Sequence, residues 1–414
     1  MSGASLQGVR GANLAAVLRL VHVQGPLSRA ELTTQTGLNR STIGALVSAL
    51  VDAGLVGESD PAGARKVGRP SPVVAVDPDV VAIAANPEVD AVTVAAVRLD
   101  QSIVARVRIE RDHLVTPDET ARLIGDQVRA WRRGPLRNAR TVAVGVAVPG
   151  PVRAADGLVR EAPHLGWRDA ALAPLVQHAT GLPAVIGNDA DMGAVAEHLF
   201  GAARGVADVV YLNGGASGIG GGIIAGGMLL RGAGGYTGEF GQNRPAVAHE
   251  DDRRSPHGVL EDEVSRARLL AAAGLRAADD AELAAALLGA GATASSAGRR
   301  ADAGADDPRA DAASDPARRD AASDEVARQR RILATALANA VNALNPSVVV
   351  LGGFLATLAA ADLPALRADV RAQAMPACAE DLDIRPATLA DDRLLIGAAE
   401  AAFAGLLHDP LGSG

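Results

Sequence analysis

From about Val80 onward, valine-rich runs alternate with alanine-rich runs, with glycine between them, and this alternation limits the fold more than any other feature. TVAVGVAVPGPV, LPAVIGNDA and SVVVLGG are short, β-branched stretches of the kind that form buried strands. VAIAANPEVDAVTVAAVRL and SIVARVRIE read as antiparallel strands, and DVVYLNG with GIGGGIIAGGML as a glycine-rich hairpin. Between them, DETARLIGDQVRAWRR, DMGAVAEHLFG and RILATALANAVNALNP have the texture of helices. Strands followed by helices, twice over, predict an α/β body of two lobes with a cleft between them. Aromatic residues are only 2% of the 414, so the core must be built from Ala, Val and Leu.

The first 76 residues have a different pattern. Leu14, Val17, Leu18 and Val21 fall at i, i+3, i+4 and i+7, one face of a helix that ends near Gly25-Pro26. Ser28 and Glu31 form a capping box that starts a second, short helix. Gly37 supplies a turn and Asn39 caps a third helix, in which Ile43, Leu46, Val47, Leu50 and Val51 share a face. Arg40, Ser41 and Thr42 lie at the start of its other face, and Gly54 ends it. Two short helices joined by a glycine turn, the second opening on small polar residues and an Arg, is the pattern of a helix-turn-helix. LVGES and PVVAV then read as two strands flanking a wing that carries Arg65, Lys66 and Arg69, suited to phosphates or a minor groove. The plainer alternative is a three-helix packing unit with solvated charges.

Charge separates the two regions. Residues 1–75 hold seven basic and four acidic side chains, a balance of +3, which leaves −11 for the rest of a chain whose net charge is −8. A basic head on an acidic body suits a polyanion at one end only. The single cysteine, Cys378, excludes a disulfide framework and a multi-cysteine metal site. With no signal-peptide pattern and no run of 18 apolar residues, the expectation is a cytoplasmic chain without a membrane span. Residues 288–324 are Ala, Asp, Arg, Gly and Ser with almost no large apolar side chain, which predicts a mobile insertion.

The winged helix followed by VAVGVAVPGPV, GLPAVIGNDADMGAVAEHLFG, GIGGGI, GEFG and NPSVVVLGG resembles the ROK family of repressors and sugar kinases. The likeness covers nearly the whole chain apart from the insertion. It implies a winged helix-turn-helix over 1–76 and, over 77–410, a two-lobed actin-like sugar-kinase fold for ligand binding and oligomerisation. It further implies a carbohydrate in the cleft and a homodimer or homotetramer.

In kinases of the family the Asp of an Asn-Asp pair is the general base, and here that pair is Asn188-Asp189. The same pair could bind a sugar's hydroxyls without chemistry, or simply form an Asn-Asp turn with Asp capping a helix. By resemblance, Glu239 and Glu261 accept sugar hydroxyls, although Glu261, Asp262 and Glu263 also read as an acidic helix start.

Two departures from the family matter. Gln242, Asp252, Arg254 and Val259 stand where the family has the His and three Cys of a structural zinc site, so no metal is expected. Gln242 can still hydrogen-bond a hydroxyl; His249, Asp251 and His257 read as a solvated polar loop. The stretch AIAANPEVDAVTV replaces the family's glycine phosphate loop, has no glycine, and carries Pro87 and Glu88. Gly218, Gly220 and Gly221 remain, but they can serve packing alone.

The resulting expectation is a sugar-responsive repressor that binds operator DNA and a carbohydrate effector, with no catalytic residue and no cofactor. The linker at Ser71–Pro78 would transmit the response. The alternative is an ATP-dependent sugar kinase of hexokinase or glucokinase type that kept a DNA-binding head, with Asp189 as its base. A third reading is a ligand-independent DNA-binding protein with a decayed pocket.

Overall fold

The computed structural model describes residues 2–60, 71–215, 218–246, 250–255, 258–276, 278–288 and 316–412. They form two units, Met1–Met192 with Leu394–Gly414, and Gly193–Arg393.

The first unit begins with helix α1 (Ser2–Gln24), strand β1 (Leu27–Ser28), helix α2 (Arg29–Thr36), helix α3 (Arg40–Asp52), strand β2 (Val56–Ser59) and strand β3 (Val73–Val76). The strands make a small antiparallel sheet in the order β1-β3-β2. β1 is too short to register as a period-2 pattern in the sequence, and only its pairing of Leu27 with Val74 defines it.

A five-stranded sheet follows, in the order β10-β7-β4-β5-β6. Its members are β4 (Val80–Pro87), β5 (Ala91–Arg98), β6 (Ile103–Glu110), β7 (Arg140–Val148) and β10 (Ala184–Asn188). β4, β7 and β10 run parallel; β5 and β6 are antiparallel neighbours. Helices α4 (Pro117–Arg132) and α5 (Leu172–Thr180) and the hairpin β8 (Val159–Ala162) with β9 (Trp167–Ala170) complete this part.

Side chains alternate across β4 with period 2. Val81, Ile83 and Ala85 join a valine-rich core with α4 and α5. Val80, Ala82 and Ala84 face the other way, into a core that also holds Leu14, Val17, Leu50 and Val74 of the N-terminal helices and strands. The C-terminal helix, here α14 (Arg393–His408), adds Ala398, Phe403 and Leu407 to the same core. The boundary expected at residue 76/77 therefore does not separate two cores, because α1 and α3 share apolar neighbours with the body's sheet.

The alanines on this face have a clear use. A Cβ on Gly145 of β7 would lie 1.8 Å from the carbonyl oxygen of Ala398, so small residues let helix and sheet backbones touch.

The second unit has its own five-stranded sheet, in the order β13-β12-β11-β14-β15. It contains β11 (Val209–Gly215), β12 (Gly218–Ala225), β13 (Met228–Leu229), β14 (Val348–Gly353) and β15 (Asp383–Pro386). Helix α6 (Asp189–Phe200) leads into this unit, and α7 (Leu260–Glu263), α8 (Arg266–Ala272) and α9 (Asp280–Leu288) follow the sheet's first hairpin. α10 (Pro316–Leu344), α11 (Phe354–Ala361), α12 (Leu363–Gln373) and α13 (Pro376–Ala379) complete it. Val210, Leu212, Val349 and Leu351 face a helical core, and Val209, Tyr211, Val348 and Val350 face Ala194 of α6.

One expectation needs correction. Residues 316–324, read as the end of a mobile insertion, are the first turns of the 29-residue helix α10. Ala322 and Val326 are buried. Once the later turns are nucleated by packing, a polar, alanine-rich stretch extends the helix at little cost. Residues 289–315 of that insertion lie outside the described residues. Among the described residues no helix is long and apolar enough to cross a membrane.

Candidate functional site

The helix-turn-helix geometry is built by local chemistry. Ser28 Oγ accepts the Glu31 amide at 3.2 Å while Glu31 Oε2 accepts the Ser28 amide at 2.7 Å, the reciprocal capping box. Gly37 ends α2 at φ +70°, a left-handed conformation that glycine adopts without strain. Asn39 Oδ1 then accepts the Thr42 amide at 2.8 Å and the Ser41 hydroxyl at 2.7 Å, which orders the first turn of α3. Ile43, Leu46, Val47 and Leu50 fix the helix from below, leaving Arg40 and Ser41 exposed and Thr42 half-buried.

Arg29, counted in the basic charge of the head, is held by Glu58 through two bonds of 2.6 and 2.5 Å. It ties α2 to β2 and adds little free positive charge. Arg65, Lys66 and Arg69 lie outside the described residues.

In the first unit, Asn188 ends β10 and Asp189 opens α6. Asn188 Nδ2 donates to the Gly150 carbonyl at 3.0 Å, and its Oδ1 accepts the Asp191 amide at 3.0 Å. The helix cap is therefore Asn188, not Asp189, which corrects the capping role considered for the aspartate. Asp189 accepts the amide of its neighbour Ala190 at 2.8 Å and is half-buried. A strand end, a fixed amide and a half-buried carboxylate suit hydrogen bonding to hydroxyls.

The second unit brings Glu239, Gln242 and Glu261 together. Gln242 Nε2 donates to Glu261 Oε1 at 2.6 Å, and the Ile219 amide donates to Glu261 Oε2 at 3.2 Å. Glu239 precedes the short turn Phe240–Gln242. Loss of water around it, and then the nearby charge of Glu261, push its carboxyl above the ordinary carboxylate range, even though its side chain still reaches solvent.

Glycines make this arrangement possible. A Cβ on Gly221 would lie 2.4 Å from the Phe240 ring, one on Gly238 2.2 Å from the Gly221 carbonyl, and one on Gly218 2.4 Å from Glu261 Oε2. The surviving glycines of the β11–β12 hairpin thus seat the Glu239–Gln242 turn directly on β12.

The turn between β4 and β5 has no such opening. The Glu88 amide donates to the Ala91 carbonyl at 2.7 Å, and the Thr93 hydroxyl donates to Glu88 Oε1 at 2.6 Å. Arg108 bridges Glu88 and Asp90 at 3.3 and 2.6 Å. Two carboxylates, both drawn onto Arg108, occupy the turn.

A helix-turn-helix with a small antiparallel sheet, followed by α/β units built on mixed five-stranded sheets, defines the class: a helix-turn-helix segment followed by an actin-like α/β fold. Residues 89–404 match the ROK family, and the chain belongs to it.

It is 30% identical over 242 residues to a xylose repressor of Caldicellulosiruptor bescii, covering 57% of this chain and 59% of that one. It is also 30% identical over 282 residues to a glucokinase of Halalkalibacterium halodurans, covering 62% and 74%. Among solved structures it is similar to a ROK family transcriptional regulator, a homologue of the E. coli Mlc protein, with a TM-score of 0.71, 23% identity and 98% of both chains covered. The chain spans about three fifths of the length of the xylose repressors it matches, between 58% and 60%.

Proposed function

We propose that this chain is a sugar-responsive transcriptional repressor that binds operator DNA through α3 and a carbohydrate through its ROK units, without phosphorylating the carbohydrate. The observation that carries the reading is the exposed, capped start of α3 in front of a ROK body whose β4–β5 turn holds Glu88 and Asp90 in place of glycines. A phosphate loop needs approachable backbone amides, whereas carboxylates repel a triphosphate. The name of the xylose repressor agrees with the reading.

Asn188, Asp189, Glu239, Gln242 and Glu261 supply the acceptors and donors for hydroxyls. The repressor acts as a homodimer or homotetramer, and the carbohydrate biases one arrangement of the heads by differential affinity.

The kinase alternative is favoured by the intact Asp189 and by the glucokinase relative. One experiment separates the two. Full-length protein is titrated with D-xylose and D-glucose by calorimetry and then incubated with ATP and each sugar. Sugar binding with no sugar phosphate formed supports the repressor; sugar phosphate formed at a rate that Asp189→Ala abolishes establishes the kinase.

At the head, Asn39→Ala removes the cap of α3 and should cost about 1 kcal/mol of stability. Arg40→Ala and Thr42→Ala should each change operator preference by about 1–3 kcal/mol at one position. A binding-site selection profile identical to that of the unaltered protein would remove α3 as the reading helix. Alanine at Arg65, Lys66 and Arg69 together should weaken binding across all sequences and flatten the salt dependence.

The raised carboxyl of Glu239 predicts a pH effect. As pH falls, this group takes up a proton before an ordinary carboxylate does and loses acceptor capacity. Sugar affinity should therefore fall on acidification at a pH above the ordinary carboxylate range, and Glu239→Gln should remove that step. A pH profile unchanged in Glu239→Gln would exclude Glu239 from the ligand's contacts.

A further inference from the structure

The positions that match the family's zinc ligands hold Gln242, Asp252, Arg254 and Val259, and their contacts do not fit a metal. Gln242 is turned onto Glu261. Asp252 is buried, and both of its carboxylate oxygens are taken by Arg331, at 2.9 and 2.6 Å. Arg254 directs its guanidinium to the Asp251 carbonyl at 2.6 Å, and Val259 has no donor atom on its side chain. Among the described residues no group of three His, Cys, Asp or Glu side chains could hold an ion.

Instead, helix α10 reaches into this loop with two arginines. Arg328 is almost fully buried and makes five hydrogen bonds. It donates to the Asp252 carbonyl at 2.7 Å, to Glu263 Oε2 at 3.0 Å and to the Glu263 carbonyl at 2.6 Å. Its other two bonds go to Glu325, at 2.9 and 2.7 Å, one turn earlier on the same helix. Glu263, with no solvent exposure, also accepts the amides of Arg254 and Ser255 at 3.0 and 2.8 Å. These contacts hold the Glu263 carboxyl below its ordinary range despite the cost of burial.

We infer that the Asp252–Arg331 pair and the Glu263–Arg328–Glu325 cluster are the clamp that fixes residues 252–255 and 258–263 to α10 and thereby positions Glu261. Glu261 lies between two anchored points. The Leu260 amide before it donates to the Asn243 carbonyl at 2.7 Å, and Glu263 two residues later is held by Arg328. One helical turn between these anchors directs the Glu261 carboxylate onto Gln242 and the Ile219 amide.

The clamp holds Asp252 and Glu263, one on each side of Glu261, and such a crosslink restricts the chain that carries it. The buried Glu263–Arg328 pair does this with direction, since the charge on either partner is stranded if the other is removed. Arg328, Arg331 and Asp252 are thus positioning residues that act through Glu261, and the inference about Glu261 rests on the sugar-binding reading above.

The test uses full-length protein and two readouts. Hydrogen exchange of the amides in 250–255 and 258–263 is measured without sugar, and D-xylose and D-glucose affinities are measured by calorimetry. Asp252→Ala and Arg331→Ala should each speed exchange in this loop at least tenfold and weaken sugar binding at least tenfold, with sugar-free DNA affinity unchanged within twofold. The swapped pair Asp252→Arg with Arg331→Asp should restore both readouts. This rescue is informative because a general loss of packing would not be repaired by exchanging charges. Arg328→Met should have the larger effect; if it does not fold, the Asp252–Arg331 variants decide alone. A metal chelator should change neither readout in the unaltered protein.

Unchanged exchange in both single variants overturns the clamp. Faster exchange with full sugar affinity overturns the positioning of Glu261, and loosening by chelator assigns the loop to a metal instead. If the unaltered protein binds neither sugar, the functional reading fails, and the exchange readout still decides whether the clamp holds the loop.

Discussion

Asp189→Ala should lower carbohydrate affinity by roughly one to two orders of magnitude, because ligand hydroxyls left without an acceptor cost about 1–3 kcal/mol each. The effect must be separated from damage to α6, since Asp189 also accepts the Ala190 amide. Asp189→Asn is the control. It keeps a side-chain oxygen for that amide and retains the shape of the site, while removing the charge and one acceptor. We expect Asp189→Asn to melt with the unaltered protein and still to respond weakly to sugar. A full response to sugar in Asp189→Ala would place the ligand elsewhere. Sugar-free DNA binding should persist in both variants, because Asp189 lies outside the core that holds α1 and α3.

Gly145→Ala should be the most damaging single methyl group in the first unit. Its Cβ would lie 1.8 Å from the Ala398 carbonyl oxygen and 2.6 Å from the carbonyl carbon, and both are backbone atoms that no side-chain rotation can move. β7 and α14 must separate, at a cost of about 3 kcal/mol. The thermal midpoint should fall by roughly 6–12 °C for a unit of this size.

DNA binding should weaken in the same variant, although Gly145 is far in sequence from the head. α14 supplies Phe403, Leu406 and Leu407 to the core shared with α1 and α3. Its Glu400 also meets Nε2 of the buried His22 on α1 at 2.8 Å, while His22 Nδ1 lies 2.5 Å from the Leu99 carbonyl oxygen. Calorimetric melting and an operator titration check the two effects together. An undiminished midpoint would show that helix and strand can part without loss.

The sequence by itself determined the features that depend on near neighbours. The Ser28–Glu31 box, the Gly37 turn and the Asn39 cap need only residues within four positions of each other, so the helix-turn-helix was legible from spacing alone. The strands with clean β-branched runs were legible for the same reason, and the ROK motifs, also local, singled out Asn188-Asp189, Glu239 and Glu261 as candidates for the proposed site.

What the tertiary structure decided depends on residues far apart in the chain. That Asn188 rather than Asp189 caps α6 follows from where β10 places the amide of Asp191 and the Gly150 carbonyl. That residues 316–324 are helical follows from the later, buried turns of α10, which composition does not register. That the head and body share one core follows from β4, whose even-numbered residues turn toward α1 and α3. The arginine–carboxylate contacts of Asp252 and Glu263 were not visible, because Arg328 and Arg331 lie more than 60 residues from the residues they hold. Local signals are set by chain geometry over a few residues, whereas these partners meet only when packing of α10 against α7 and α8 brings distant segments into contact.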